Sequence, residues 1–115
     1  MLPSPHYVSK TAIADYLSWI ERSRHGDTLV YYVGDLQFDR STAPSDPAAS
    51  DYADRIEQVV ILNALADRIN VDAGVDEVAL TQRRRSAGSY EYRATRLRRE
   101  RERQRQANVQ SDAVR

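Results

Sequence analysis

The stretch that decides the fold is EVALTQRRRSAGSYEYRATR, residues 77–96. Residues 77–84 are predicted to form a strand with Val78 and Leu80 on one face and Ala79, Thr81 and Arg83 on the other. Over residues 90–95 apolar and polar side chains alternate with the period of two that is typical of β-strands. Between them lies the segment RSAGS, residues 85–89. Gly88 supplies the backbone freedom that a tight turn requires. The pattern therefore predicts a β-hairpin of two strands joined by the loop 85–89.

Cations are concentrated on this hairpin, and strand alternation predicts how they are arranged. Successive side chains of a strand point to opposite faces of a sheet. Val78 and Leu80 are expected to face the core. The outer face is expected to carry four side chains, namely Thr81, Arg83, Arg93 and Thr95. Arg84 and Arg85 are expected in the loop, so the sequence predicts a cluster of guanidinium groups at one end of the sheet.

Residues 11–24 and 28–33 predict a helix followed by a strand. In residues 11–24 the apolar side chains recur at the spacing of one helix face, which consists of Ile13, Tyr16, Leu17 and Ile20. Trp19 is expected at the margin of that face. Residues 28–33 are rich in β-branched and aromatic side chains, which favours a strand that is covered on both faces.

A longer helix is predicted between this strand and the hairpin. Residues 41–50 contain small residues and proline and are predicted to be a connecting loop. Asp46 followed by Pro47 is typical of an N-cap and a first helical residue, and the apolar spacing then continues to about Asn70. One uninterrupted helix is expected, although a break near Ser50 would divide it. The side chains predicted to be buried in the domain as a whole are Ile13, Leu17, Ile20, Val59, Leu62, Ile69, Val78 and Leu80.

Together these elements predict one small α+β domain over residues 9–97 of the 115-residue chain. Residues 1–8 contain two prolines and are predicted to be an extended arm. Residues 98–115 form an Arg-rich tail with few apolar residues, and we predict that it is flexible or helical.

The net charge of zero results from two parts of opposite sign. Residues 1–80 carry six cations and thirteen carboxylates, a net charge of −7, whereas residues 81–115 carry eleven cations and four carboxylates, a net charge of +7. Such asymmetry points to a polyanionic partner for the basic part, and nucleic acid is the commonest polyanion. A solvated charged surface without a partner is the alternative explanation.

Several kinds of chemistry find no support in the sequence. There is no cysteine, and His6 and His25 are too far apart to form a metal-binding motif. No nucleophile–base arrangement and no glycine-rich phosphate loop is visible. We therefore expect a protein that is not an enzyme and has no cofactor and no metal. No apolar run approaches the ~20 residues that span a bilayer, so we expect a cytoplasmic protein without a membrane partner.

The order of the predicted elements, helix, strand, helix, strand, strand, resembles that of a winged-helix domain. In that resemblance residues 84–89 correspond to the wing, the hairpin loop that reaches the nucleic acid. One predicted helix stands where the family has two, so the sequence does not identify a recognition helix.

Short motifs also resemble those of small proteins encoded by phages and prophages of GC-rich bacteria. The similar segments are GD at 26–27, VYY at 30–32, Gly34, LTQRR at 80–84 and YEYRA at 90–94. This resemblance implies a mobile-element protein with a winged-helix-like core, such as a phage or prophage regulator. It implies no active site.

The sequence thus favours a non-enzymatic module that binds nucleic acid, with duplex DNA as the expected ligand. The candidate contact residues are Gln82, Arg83, Arg84, Arg85, Arg93 and Arg96 on the hairpin, with Arg98, Arg99 and Arg101 in the tail. A protein–protein adaptor, or an inhibitor of a host protein, is the alternative. The oligomeric state stays open, a homodimer included. Tyrosines in the predicted strands are more typical of sheet packing than of base stacking.

Overall fold

The computed structural model describes residues 3–42 and 45–97; the tail predicted for residues 98–115 lies outside them. Over the described residues the chain has three helices and three strands in an α+β arrangement, as predicted. In chain order they are α1 (Ala12–Arg22), β1 (Thr28–Gly34), α2 (Leu36–Ser41), α3 (Tyr52–Gly74), β2 (Val78–Ser86) and β3 (Ser89–Arg96). No helix of this part of the chain is both long and apolar enough to cross a membrane.

The three strands form an antiparallel sheet in the order β1-β3-β2, so that the last strand is the central one. The predicted hairpin is confirmed as β2 and β3. Its strands remain paired as far as Ser86 and Ser89, and Gly88 adopts a φ of +71° in the turn. The turn is therefore shorter than the predicted loop 85–89. Arg84 and Arg85 belong to β2, with a register shift between Arg84 and Ser86.

The core lies between one face of this sheet and the helices α1 and α3. It consists of a cluster of buried side chains, Val8, Tyr16, Trp19, Tyr32, Leu62, Leu65, Ile69, Val78 and Ala94. The predicted burial of Leu62, Ile69 and Val78 is confirmed, whereas Ile13, Ile20 and Val59 are half-buried.

Two leucines predicted to be buried are exposed. Leu17 is 36% exposed because α1 is turned so that Tyr16 and Trp19 face the core, with ring centroids 6.0 Å apart. The predicted face already contained Tyr16, and burying the larger Trp19 ring beside it removes more apolar area from water than burying Leu17 would. Leu80 is 37% exposed because it lies on the edge strand β2, which runs outward from the core after Val78.

The region between β1 and α3 differs most from the prediction. The short helix α2 was not predicted, because six residues are too few to show a helical repeat. Asp35 begins it, its side chain accepting a hydrogen bond from the Phe38 backbone N–H at 3.1 Å. Helix α3 begins at Tyr52, several residues after the predicted start, because the Asp46 side chain instead accepts the Ala48 N–H in a local turn.

Candidate nucleic-acid interface

The outer end of the β2–β3 hairpin has two faces with different side chains. On the outer face, Thr81 lies opposite Arg93 and Arg83 lies opposite Glu91. On the face that continues the core, Gln82 lies opposite Tyr92 and Arg84 lies opposite Tyr90. The pairing therefore places Arg83, Arg93 and the two predicted threonines, Thr81 and Thr95, on one face. Arg83, Arg84 and Arg85 are all exposed.

Glu91 partly neutralises the outer face. It is only 8% exposed, and its carboxylate accepts a hydrogen bond from Arg93 Nη2 at 2.6 Å and lies 3.7 Å from Arg85 Nε. The hydrogen bond from Arg93 holds the pKa of this carboxyl below its ordinary value, and the charges of Arg85 and Arg83 act in the same direction. Among the described residues, Arg83 and Arg84 have no carboxylate within salt-bridge distance. These two guanidinium groups are the freest cations of the hairpin.

Arg96 lies at the opposite end of the hairpin, away from this basic surface. Its side chain is 3% exposed, and Nη1 donates to both the backbone oxygen (2.7 Å) and the carboxylate of Glu77. Its backbone pairs with Gly26 and Asp27, which anchors the chain just before β1. Arg96 therefore has a structural position, and the strand alternation contained the signal for it, because position 96 has the parity of the buried Ala94. Arg98, Arg99 and Arg101 lie outside the described residues.

A groove separates the core-side face of the hairpin from the helices α2 and α3. It encloses about 830 Å³, and its lining includes Gln37, Asn63, Gln82, Tyr90 and Tyr92. The Tyr92 hydroxyl accepts a hydrogen bond from the Leu36 backbone N–H at 3.0 Å and so ties β3 to the start of α2. Because α2 was not predicted, sequence reasoning did not find this groove.

The position of α2 is fixed from both sides. On one side Arg40 Nε donates to Asn63 Oδ1 at 2.7 Å, while the Asn63 amide donates back to the Arg40 carbonyl at 3.0 Å. The Arg40 guanidinium also donates to Asp67 at 2.5 Å. These contacts join α2 to the middle of α3, so the walls of the groove belong to well-connected elements.

A second polar cluster joins α2 to β1 and to the N-terminal arm. Asp39 Oδ2 accepts a hydrogen bond from the Tyr32 hydroxyl at 2.6 Å and lies 2.8 Å from His6 Nδ1. Gly34, with a φ of +148°, lies so close that a Cβ there would come within 2.8 Å of both the His6 and Asp39 atoms. The backbone N–H of His6 also donates to the Val33 carbonyl at 2.7 Å. The cluster thus holds the arm against the edge of β1, and sequence reasoning missed it.

A third polar group lies within the core itself. The Tyr16 hydroxyl donates to Asp72 Oδ2 at 2.7 Å, and Arg68 Nε donates to the same oxygen at 3.2 Å. Burial and the neighbouring carboxylate raise the pKa of Tyr16. The arrangement ties α1 to the end of α3. Within residues 3–42 and 45–97, no group of three or more histidine and carboxylate side chains is placed to hold a metal ion.

Comparison with known proteins adds no relative to this description. No family model matches the chain, and neither a curated protein nor a solved structure does. The interpretation of its function therefore depends on the sequence and on the geometry of these sites.

Proposed function

We propose that this protein is a non-enzymatic module that binds nucleic acid, with duplex DNA as its ligand, through the outer end of the β2–β3 hairpin. The observation that carries the proposal is the run of three adjacent exposed arginines, Arg83, Arg84 and Arg85, beside the turn. Guanidinium groups bind phosphate oxygens in a fixed bidentate geometry. Phosphate contacts supply most of the affinity of such modules, and Gln82 is suited to contact a base edge.

The arrangement of the elements supports a winged-helix-like interpretation of this core. With α2 separate from α3, the order is helix, strand, two helices, strand and hairpin strand, which is the order of a winged-helix domain. The hairpin turn at Ala87 and Gly88 then corresponds to the wing. A role as a phage or prophage regulator is part of the same proposal, and it depends on the sequence motifs alone.

Helix α3 offers fewer available cations than the hairpin. Its carboxylates Glu57 and Asp67 are paired with Lys10 and Arg40, and Arg68 is paired with Asp72. Cations that are already paired contribute less to binding phosphate than unpaired ones do. The proposal therefore assigns the contact to the hairpin.

The proposal predicts that the triple variant Arg83→Ala, Arg84→Ala, Arg85→Ala binds duplex DNA more weakly than the wild type, whatever the DNA sequence. In a salt titration, the slope of log affinity against log salt should shrink by about 0.9 for each phosphate that the variant no longer binds. The matched control replaces three exposed arginines elsewhere, Arg22, Arg24 and Arg55, with alanine and changes the net charge equally. If the affinity falls equally in both triple variants, net charge rather than the hairpin governs binding.

A variant with the opposite expected effect sharpens this test. Glu91→Gln removes the carboxylate that neutralises Arg85 and Arg93, so both guanidinium groups become available to phosphate. Binding should become tighter and its salt slope steeper, with circular dichroism confirming that each variant is folded. A folded wild type that binds neither duplex DNA nor RNA at low salt would refute the proposal. Co-purification with one host protein would then favour the adaptor or inhibitor.

A further inference from the structure

The core-side face of the hairpin end carries three side chains whose chemistry differs from that of the outer face. Gln82 and Arg84 lie two residues apart on β2, and Tyr90 lies directly opposite Arg84 on β3. Opposite residues of an antiparallel pair have Cβ atoms about 5 Å apart, so the aromatic ring, the amide and the cation are neighbours. Gln82 and Tyr90 also line the groove against α2 and α3.

Of the two tyrosines that line the groove, Tyr92 forms a hydrogen bond through its hydroxyl group and Tyr90 does not. The Tyr92 hydroxyl is held by the Leu36 N–H, and its ring lies 6.2 Å from the Tyr90 ring, centroid to centroid. Among the described residues, the Tyr90 hydroxyl and the Gln82 amide form no hydrogen bond. Asn63, by contrast, uses its amide to bind Arg40. The groove therefore presents an available ring and an available amide beside an unpaired guanidinium group.

We propose that this groove accepts an unstacked nucleobase of the bound nucleic acid. The base stacks on the Tyr90 ring, the Gln82 amide hydrogen-bonds its edge, and Arg84 binds the phosphate of the same nucleotide. The inference rests on the proposed function and deepens it, because it assigns unpaired nucleotides, in addition to duplex, to the ligand.

The combination of groups supports a nucleobase rather than another ligand. Proteins that bind unpaired nucleotides combine an aromatic platform with amides that read base edges and cations that follow the backbone. The groove is open to solvent, and its volume of about 830 Å³ leaves ample room for a single base. A base pair within an intact duplex presents only its edges, so only an unpaired base can stack on Tyr90.

The test compares a blunt DNA duplex with the same duplex carrying a short single-stranded extension. The wild type should bind the extended duplex more tightly, by roughly five- to a hundredfold, which corresponds to the usual contribution of one stacked base. Tyr90→Leu should remove this difference and leave binding to the blunt duplex unchanged. Tyr90→Phe should retain it, because the ring is preserved. Tyr7→Leu is the matched control, since Tyr7 is exposed and does not line the groove.

A second measurement does not depend on any variant being folded. A fluorescent base analogue in the extension, such as 2-aminopurine, should be quenched when the wild type binds, because stacking quenches it. No change in fluorescence on binding would overturn the inference, as would equal affinity of the wild type for the two duplexes. In both cases the proposed function would stand. If the wild type binds neither duplex, the proposed function itself fails.

Discussion

Arginines occupy both ends of the β2–β3 hairpin, and the two ends place them in different environments. At the inner end, Arg96 is 3% exposed and is bound by Glu77, close to where the chain enters β1. At the outer end, Arg83 and Arg84 extend from the part of β2 that is exposed. An arginine side chain thus stabilises the fold where the sheet is covered, and it is available to bind a ligand where the sheet is exposed. Charge counted along the sequence does not distinguish these two roles, whereas burial does.

The largest expected loss of stability comes from a substitution at the inner end of the hairpin. Arg96→Ala removes the buried partner of an ion pair whose Glu77 side chain is 29% exposed, leaves the Glu77 backbone oxygen without its donor, and opens space beside the core. We expect the free energy of unfolding to fall by about 3 kcal/mol. Arg84→Ala, the matched change at the outer end, should alter it by less than about 0.5 kcal/mol. Urea unfolding of both variants provides the comparison, and a similar decrease for the two would contradict it.

Two leucines that the sequence treats alike sharpen the comparison further. Leu62 is 3% exposed and packs in the core between α3 and the sheet, whereas Leu80 is 37% exposed on the edge strand. Leu62→Ala should cost about 2–5 kcal/mol, because it leaves a cavity. Leu80→Ala should cost only about 1 kcal/mol, since this side chain buries little apolar area. An equal cost at both positions would mean that the outer part of β2 is covered after all.

The last expected effect appears only at alkaline pH and concerns the packed part of the sheet. Burial raises the pKa of Tyr31 from 10.0 to about 12. The unfolded chain therefore loses this proton at lower pH than the folded chain does. The contribution of this group to the free energy of unfolding should be fully present below pH 10. It should fall as pH rises toward 12, by at most about 1.4 kcal/mol per pH unit. Unfolding free energies of the wild type and Tyr31→Phe across this range test it. Parallel curves for the two proteins would count against the burial of Tyr31.

Sequence periodicity predicted the long elements well and the packing between elements poorly. The hairpin, β1, α1 and α3 each extend over enough residues to show a repeat of two or of 3.6. Helix α2 does not, and the groove that it completes was missed with it. On α1 the predicted burial of Tyr16 is correct and that of Leu17 is wrong, because Trp19, predicted at the margin of the face, is buried instead.

The candidate nucleic-acid surface was also predictable in part. Exposed arginines next to the turn could be predicted from the sequence, because a hairpin places neighbouring residues at a known end of the sheet. Their partial neutralisation by Glu91 could not, since the geometry of the Arg93 and Arg85 side chains depends on register and packing together. Strand alternation places Arg96 on the face of the buried Ala94, but its contact with Glu77 depends on packing and could not be predicted.

The central position of β3 has a consequence for the order in which the protein is made. Within the described part of the chain, β1 and β2 pair with β3 alone, and β3 follows both of them along the chain. During synthesis, β1 and β2 therefore lack their hydrogen-bonding partner until the ribosome has released Ser89–Arg96. The adjacent β2 can then pair at once through its short turn, whereas β1 must be brought back across more than fifty intervening residues. We therefore expect closure of β1 onto β3 to be the slower of the two pairing steps, and the nascent chain to expose the apolar residues of β1 until it occurs.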